Sequence, residues 1–209
     1  MKCSRRKIGG REFQLNHASA LERQAEWVLS YFERMQKEGM TFFSGMKIQF
    51  GWSFLELREN GENIYLIQEP DFSGNPFSSF RADVSTTLQV QASQNNLIEE
   101  LDIAPSGVSF QDKIVFAKGS LEAERVYIER IPPQPEKNDS GWFLGLVEGN
   151  NQPENLQAMW VYQLLQSRPI LLQFLLLPPG YMVIVKGSSV EEILDAAGNS
   201  RMLDSYRGT

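Results

Sequence analysis

The stretch from Asn138 to Gly187 constrains the fold most, because it holds the longest apolar run of the chain, Ile170–Leu177. The run reads ILLQFLLL and ends at Pro178-Pro179. A membrane-spanning helix needs about 20 apolar residues, so the run is too short to cross a bilayer. It predicts a short buried helix, with a strand as the alternative. The β-branched segment Tyr181–Lys186 that follows predicts a buried strand.

Composition narrows the class of function. The chain has 209 residues, 42% of them hydrophobic, which is enough for a sizeable core. Its net charge of −6 disfavours nucleic-acid binding, since phosphate contacts need a basic surface. One cysteine and one histidine, Cys3 and His17, leave no intrachain disulfide and no histidine-based metal site or catalytic triad. We therefore expect no cofactor, no metal and no catalytic residues.

The N-terminus MKCSRRKIGG is basic, but no apolar segment of a secretory signal follows it. Residues 1–18 are expected to form a flexible leader, and the protein is expected to be cytoplasmic without membrane contact. A capping box of Ser19 and Glu22 predicts the start of a helix that ends near Gly39.

A hairpin is predicted after this helix. Alternating apolar residues indicate a strand over Met46–Glu59, the dipeptide Asn60-Gly61 favours a type I′ turn, and Asn63–Gln68 is the return strand. The loop over residues 69–82 carries three phenylalanines, which pin it to the core or act as binding anchors. A second helix is predicted from an N-cap at Asp83, although Leu88, Val90 and Ala92 also alternate as in a strand. Short strands follow up to Ile131.

The prolines of residues 132–138 make this segment a stiff linker candidate. Beyond it we expect a strand over Gly141–Val147, a helix over Glu154–Ser167 framed by prolines, and a last helix opened by a capping box of Ser189 and Glu192. The sequence thus predicts an α+β fold with antiparallel or mixed sheets and packed helices. The predicted organisation is a leader (1–18), an N-terminal α+β region (19–131), a linker (132–138), a smaller C-terminal α+β unit (139–198) and a tail (199–209).

The strand opening NDSGWFLG resembles the D-S-G-W-x-F opening of the Imm33 immunity-protein domain, also known as DUF2185. Further agreement lies in Glu154-Asn155, the Pro169-initiated apolar segment and the closing strand, so the likeness covers residues 123–187. Two places depart from the family pattern: the turn after the strand is less acidic, and Gln166-Ser167-Arg168 stands where an acidic residue is usual. Within this likeness Asp139, Ser140, Gly141 and Trp142 form the family motif, and their expected role is structural.

This resemblance implies a bacterial immunity protein that binds and neutralises a cognate toxin, such as a polymorphic toxin or a secretion-system effector, in the cytoplasm and without catalysis. The net acidity favours a toxin with a basic surface. An exposed turn beside a rigid strand suits partner contacts, so Glu148, Asn150, Asn151 and Glu154 are the candidate contact residues, with an ordinary surface loop as the alternative. The oligomeric state is left open.

Two other interpretations remain at this point. One is a small-molecule-binding or enzymatic α+β domain with a pocket lined by Trp52, Phe54 and the loop Phe72–Phe80. The other is a structural or regulatory scaffold without a toxin. A deep pocket with convergent polar groups would favour the first, and a toxin gene next to this one would favour immunity.

Overall fold

The computed structural model of the protein describes residues 1–206 and has the α+β architecture expected from the sequence, with two mixed sheets and several helices. It contains two compact units. The first comprises Met1–Ala92 and the second begins at Ser93, so the division falls within one helix, Ser85–Leu101. Residues 132–138, proposed as a linker from the sequence, lie inside the second unit.

The first unit is built on a six-stranded sheet with the order β1-β2-β5-β4-β3, and β6 pairs with β5. Strands β2 and β5 are parallel, whereas the other pairs are antiparallel. The elements are β1 (Lys2–Ile8), β2 (Arg11–His17), α1 (Glu22–Lys37), β3 (Lys47–Phe50), β4 (Ser53–Glu59), β5 (Ile64–Pro70), β6 (Phe80–Arg81) and the start of α2 (Ser85–Leu101).

Helix α1 packs on β1 and β2, which confirms the helix predicted from the apolar spacing. The ring of Phe32 on α1 lies 5.5 Å from that of Phe13 on β2. Gly39 takes a φ of +93° just after the helix, as the predicted glycine stop requires. The predicted capping box is wrong, because Ser19–Leu21 is a 3₁₀ turn and the helix begins without a side-chain cap.

Residues 1–18 do not form the loose leader that their basic composition suggested. They form the hairpin of β1 and β2, in which Arg6 faces α1 and forms ion pairs with Glu26 at 2.8 Å and Glu33 at 3.2 Å. The basic residues therefore belong to an edge strand whose charges are partly neutralised by the helix beside it. Charged residues lie on both faces of β1, so its sequence does not show the alternation of apolar and polar residues that usually indicates a strand.

The strand predicted over Met46–Glu59 is two strands, β3 and β4, which pair with each other across a turn at Gly51. Gly51 has a φ of +58°, a conformation that glycine adopts without strain. The predicted hairpin between β4 and β5 is confirmed, but its turn is longer than type I′, because Gly61 and Asn63 have positive φ and Asn60 does not.

Helix α2 is confirmed with its predicted cap, since the Asp83 carboxylate accepts a hydrogen bond of 3.0 Å from the Ser85 N–H. The loop phenylalanines pin the loop in part. Phe72 is buried and stacks on Trp52 with ring centroids 5.0 Å apart, whereas Phe77 stays exposed.

The second unit is built on a six-stranded sheet with the order β10-β7-β9-β8-β11-β12, in which β7 and β9 are parallel. Its strands are β7 (Lys113–Ala117), β8 (Arg125–Arg130), β9 (Asp139–Leu146), β10 (Leu156–Trp160), β11 (Met182–Lys186) and β12 (Ser189–Leu194). Between β10 and β11 lie a short helix, α3 (Leu164–Ser167), and a 3₁₀ helix, Pro169–Phe174. The apolar run is thus helical from Ile170 to Phe174, as predicted, whereas Leu175–Leu177 lie beyond the helix; its Leu171, Leu172 and Phe174 are buried.

Two predicted helices of this unit are wrong. Of the helix expected over Glu154–Ser167, only α3 is α-helical, and Leu156–Trp160 is the edge strand β10 paired with β7. The last helix is the strand β12. A bulge at Glu191 places Val190 and Ile193 on the same buried face, and this spacing of three imitates a helix.

The predicted tail, residues 199–209, begins by returning to β12. Asn199 and Asp195 close a turn through hydrogen bonds of 2.9 and 3.0 Å, and the Arg201 N–H donates to the Ile193 carbonyl at 2.7 Å. Residues 207–209 lie outside the described part of the chain.

Candidate functional site

The Asp139–Trp142 motif builds a bulge at the start of β9. Lys113 of β7 is in register with Asp139, and Val115 is in register with Phe143, so a step of two residues along β7 spans four residues of β9. The Asp139 carboxylate accepts a hydrogen bond of 2.9 Å from the Gly141 N–H, and the Ser140 hydroxyl donates to the Lys113 carbonyl at 2.6 Å. The motif therefore holds two parallel strands together where their backbone register changes.

Gly141 is required by this bulge for two reasons. Its φ is +75°, and a Cβ atom there would overlap the carbonyl oxygen of Ile131. The Ile131 N–H in turn donates to the Gly141 carbonyl at 2.9 Å. Only glycine lets the backbones of the bulge and of the segment after β8 approach this closely.

Trp142 connects the motif to the apolar segment. Its side chain is buried, and the indole Nε1–H donates to the Leu175 carbonyl at 3.1 Å. A buried indole normally needs an acceptor for this N–H group. The tryptophan of the motif thus positions the segment that follows the 3₁₀ helix Pro169–Phe174.

Arg130, at the end of β8, is the residue around which this part of the unit is ordered. It is 2% exposed, and its guanidinium donates hydrogen bonds to five backbone carbonyls, those of Ser106, Gly107, Ser140, Leu175 and Leu177. No carboxylate among residues 1–206 hydrogen-bonds to it. Burial therefore lowers the pKa of Arg130 to about 10, partly offset by the charge of Asp112.

Sequence reasoning missed Arg130, although a signal was present. Val126, Ile128 and Arg130 alternate on one face of β8, and the first two are buried apolar residues. An arginine that continues a buried alternation must find acceptors inside the protein, because an unpaired buried charge is very costly. Its carbonyl partners come from loops far apart in sequence, which no local pattern identifies.

The turn after β9 is held by one of the four candidate contact residues. Asn151 pairs with the backbone of Leu146 in both directions: its Oδ1 accepts from the N–H at 2.9 Å and its Nδ2 donates to the carbonyl at 2.8 Å. Asn150 accepts a bond of 2.9 Å from the Gln152 N–H. Glu148, Asn150 and Glu154 are exposed, whereas Asn151 is half-buried. Asn151 therefore shapes the turn, and the other three present side chains on its surface.

The two faces of the second unit's sheet differ sharply. One face is buried and carries Ile114, Phe116, Val126, Ile128, Trp142, Leu144, Val183 and Val185. The opposite face is half-buried, and we call it the open face. It carries Val115, Tyr127, Glu129, Phe143, Met182 and Ile184.

Side chains of the open face meet across the strands. In register, Val115 opposes Phe143, Phe143 opposes Glu129, and Glu129 opposes Met182. The rings of Tyr127 and Phe143 meet edge to face at 5.9 Å. The Tyr127 ring packs against Gly145, where the Cβ atom of any other residue would overlap the ring.

Glu129 lies in the middle of this apolar row. Among the residues that the structure describes, none forms a hydrogen bond or ion pair with its carboxylate. The pKa of the neighbouring Tyr127 is raised, mainly by burial and further by the charge of Glu129. The open face thus combines aromatic and aliphatic side chains with one unneutralised negative charge.

The first unit holds a separate buried charge, Glu69 on β5. Its carboxylate accepts hydrogen bonds from the Thr87 N–H at 2.6 Å and from Arg81 Nε at 2.9 Å. Burial dominates and raises the pKa of Glu69, although both partners oppose this shift. Since Thr87 lies in the first turn of α2, the contact fastens that helix to the sheet.

His17 has a structural environment. It is buried, its Nε2 is 3.0 Å from the Ser4 hydroxyl, and its Nδ1 is 2.8 Å from the Ala18 carbonyl. A ring that carries a hydrogen on Nδ1 donates it to the Ala18 carbonyl, and Nε2 then faces the Ser4 hydroxyl. Within residues 1–206 no group of three or more His, Cys, Asp and Glu side chains is arranged to hold a metal ion.

The aromatic residues considered as a pocket lining fill space instead. Trp52 and Phe72 are both buried and stacked on each other, and the ammonium of Lys47 lies 5.0 Å from the ring of Phe54 and 4.8 Å from that of Phe80. These aromatic rings thus contact other side chains of the protein.

By its fold, the second unit is an α+β domain on a six-stranded mixed sheet, with a strand-opening motif whose residues are structural. Residues 93–196 match the sequence profile of the Imm33-like domain. The second unit therefore contains an Imm33-like domain. The match confirms the family indicated by the Asp139–Trp142 motif and begins earlier in the chain than the likeness did, at Ser93.

No curated protein and no solved structure matches the chain in the corresponding comparisons. Within the described residues, no helix has both the length and the apolar character needed to cross a membrane.

Proposed function

We propose that this protein is a bacterial immunity protein that binds a cognate toxin and neutralises it, without catalysis of its own. The observation that carries the proposal is the Imm33-like domain over residues 93–196. The geometry of its signature residues supports it, since Asp139, Ser140, Gly141 and Trp142 satisfy each other and the backbone. The motif residues therefore serve the fold, and a partner would be bound by other surfaces of the domain.

The charge of the chain supports a toxin with a basic surface. The net charge is −6, and Glu148 and Glu154 are exposed on the turn after β9. Opposite charges accelerate diffusional encounter, and salt screens this effect. We propose this turn, with Glu148, Asn150 and Glu154 outermost and Asn151 shaping it, as part of the contact surface.

Immunity in the cytoplasm is the setting that we propose. The toxin is then an effector delivered by a neighbouring cell or made by the same cell, and this protein intercepts it before it reaches its target. An effector of the polymorphic-toxin or secretion-system type fits this arrangement.

Co-expression with the product of the adjacent gene tests the function. That product is expressed from an inducible promoter in a heterologous host, alone and together with this protein. We expect growth arrest in the first case and growth in the second, with a complex recovered by affinity purification from the second culture. A neighbour that is harmless alone, or that still arrests growth beside this protein, would contradict the proposal. A toxin from an unrelated immunity pair serves as the control and should remain toxic.

A further inference from the structure

We propose that the open face of the second unit is the docking surface for the toxin, and that Glu129 forms an ion pair there with a cationic side chain of the toxin. This inference rests on the proposed function. The partner surface that fits is apolar at its centre and carries an arginine or lysine that reaches the middle of the open face.

The first argument is the character of the open face. Interface centres are rich in aromatic residues and methionine, and Tyr127, Phe143 and Met182 occupy neighbouring positions on β8, β9 and β11. Ile184 is in register with Tyr127 and extends the surface along β11. These side chains are held on a rigid sheet, so they lose little conformational freedom when a partner covers them.

The second argument is the position of Glu129. It lies between Phe143 and Met182 in the pairing of three strands, where stability alone would favour an apolar side chain. Within the part of the chain that the structure describes, its carboxylate has no cation. A partner that covered this face without supplying a cation would leave the charge buried and unpaired, which is strongly unfavourable. The occupant must therefore be positively charged at this point.

Three cationic side chains on the strands of this sheet have partners other than Glu129. Arg125, at the start of β8, pairs with Glu191 at 2.6 Å, and the Lys186 ammonium lies 3.8 Å from Glu124. The ammonium of Lys113, on β7, lies over the ring of Trp160 at 5.1 Å. The carboxylate of Glu129, in the middle of the open face, is therefore available to an external partner.

A second copy of this chain fits the open face less well than a basic partner. A two-fold interface centred on the open face would bring the Glu129 residues of both copies close together. Like charges in a buried interface oppose association. The toxin is the occupant that satisfies both the apolar surface and the charge.

The test uses full-length protein and the toxin encoded by the adjacent gene, inactivated by mutation, with affinity measured by titration calorimetry. Glu129→Lys and Glu129→Gln are compared with the wild type. We expect Glu129→Lys to weaken binding by at least about 100-fold and Glu129→Gln by about 30-fold, since breaking a buried charge pair has effects of this size.

The matched control is Glu99→Lys. Glu99 is exposed on α2, whose Gln94 bonds to Leu172 in the segment between β10 and β11, away from the open face. This variant changes the net charge as much as Glu129→Lys does. We expect its affinity to stay within about threefold of the wild type, because a distant exposed charge contributes only long-range attraction that salt screens.

The outcomes separate the inference from the proposed function. If the wild type binds the toxin and all Glu129 variants bind equally well, the open face is not the docking surface, although the immunity function stands. If the wild type does not bind the toxin at all, the proposed function is wrong and this inference with it. Sedimentation shows whether the chain alone dimerises, and a dimer strengthened by Glu129→Gln would assign the open face to a second copy. Should Glu129→Lys unfold, the milder Glu129→Gln carries the test.

Discussion

Arg130 and Trp142 donate hydrogen bonds to the same carbonyl oxygen, that of Leu175, from distances of 3.0 and 3.1 Å. The guanidinium carbon also lies 5.5 Å from the centroid of the indole ring, within the range of a cation–π contact. The two residues are in register on the adjacent strands β8 and β9. The signature tryptophan of the domain and an arginine outside the motif therefore hold one point of the apolar segment together.

Replacing Arg130 should destabilise the second unit strongly. Arg130→Met removes a donor from five carbonyls, of which only that of Leu175 keeps the indole N–H of Trp142 as another side-chain donor. Each buried unsatisfied group costs about 1–3 kcal/mol where water cannot replace the donor. We expect a loss of about 3–5 kcal/mol in unfolding free energy. Arg130→Lys should lie between this variant and the wild type, since an ammonium has three donors and the guanidinium five.

Arg125→Met is the control for this experiment, because Arg125 is exposed and its ion pair with Glu191 should contribute about 1 kcal/mol or less. Hydrogen exchange of peptides that contain residues 106–107 and 175–177 reports the second unit directly, which matters in a chain of two units. Equal protection in the two methionine variants would show that the carbonyl contacts of Arg130 add no stability.

Gly141 and Gly198 form a matched pair for measuring the crowding at the bulge. Their φ values are +75° and +80°, but a Cβ atom overlaps the Ile131 carbonyl only at Gly141, and nothing lies within 4 Å at Gly198. Gly198→Ala should cost about 1–2 kcal/mol from backbone strain alone. Gly141→Ala should cost at least about 2 kcal/mol more, since backbone atoms must move. Urea unfolding measures both, and equal losses would mean that the bulge relaxes freely.

Asn151 should matter for stability and Asn150 should not. Asn151→Ala removes both bonds to the Leu146 backbone, and we expect a loss of about 1–2 kcal/mol. Asn151→Asp keeps the acceptor but not the donor, so it should lose part of this amount. Asn150→Ala, at an exposed position, should stay within about 0.5 kcal/mol of the wild type. The thermal midpoints of the three variants decide the question, and a reversed order would show that the bonds of Asn151 do not stabilise the turn.

Glu69 should make the first unit less stable as pH rises. Because burial raises the folded-state pKa of Glu69, its contribution is fully present below the unfolded value near 4.5 and is lost as pH rises through the folded value. Glu69→Gln removes this titration. The stability of the wild type relative to Glu69→Gln should therefore increase as pH falls from 7 towards 4.5, in urea titrations at several pH values. A difference that is constant with pH would mean that Glu69 titrates alike in both states.

The exposed acidic side chains of the turn after β9 should affect the rate of association with the toxin more than the lifetime of the complex. Glu148→Lys and Glu154→Lys should each slow association by about 3-fold to 10-fold at low salt, and less at high salt. Glu136→Lys, at another exposed position of the second unit, is the control for the general change in charge. Stopped-flow association at two salt concentrations checks this, and a rate independent of salt would count against a basic partner.

The sequence predicted those elements whose signals are local. Helix α1 follows from the apolar spacing that includes Phe32, α2 from its cap at Asp83, and the hairpin between β4 and β5 from the turn residues around Gly61. In each case the residues that specify the element lie within it or beside it. The turn within the Asp139–Trp142 motif is also a local feature, because the side chains of Asp139 and Ser140 each accept a hydrogen bond from a backbone N–H two residues later.

The misassigned elements depend on distant partners. Strand β10 exists because Leu156–Trp160 pairs with β7, although its leucine and tryptophan are also spaced like a helical face. The first strand, β1, is specified by β2 and by the acidic residues of α1 that pair with Arg6. Arg130 depends on carbonyls more than 40 residues away, at Leu175 and Leu177, as well as nearer ones. No single window of sequence contains both sides of these contacts.

The open face of the second unit cannot be recognised from the sequence either, because its residues resemble core residues. Its residues alternate with buried ones along β7, β8, β9 and β11, so Tyr127 and Phe143 read as core residues beside Ile128 and Trp142. Only the register of the sheet shows that they share a face with the unpaired Glu129.

The alternation of the two faces has an evolutionary consequence. Side chains that point to the open face can be exchanged without touching those that fill the interior, because neighbours along a strand project in opposite directions. With the open face as the proposed docking surface, selection for a partner would act on Tyr127, Glu129 and Phe143, and selection for folding on residues such as Ile128 and Trp142. Lineages can therefore diversify their recognition within the same four strands and inherit an unchanged scaffold.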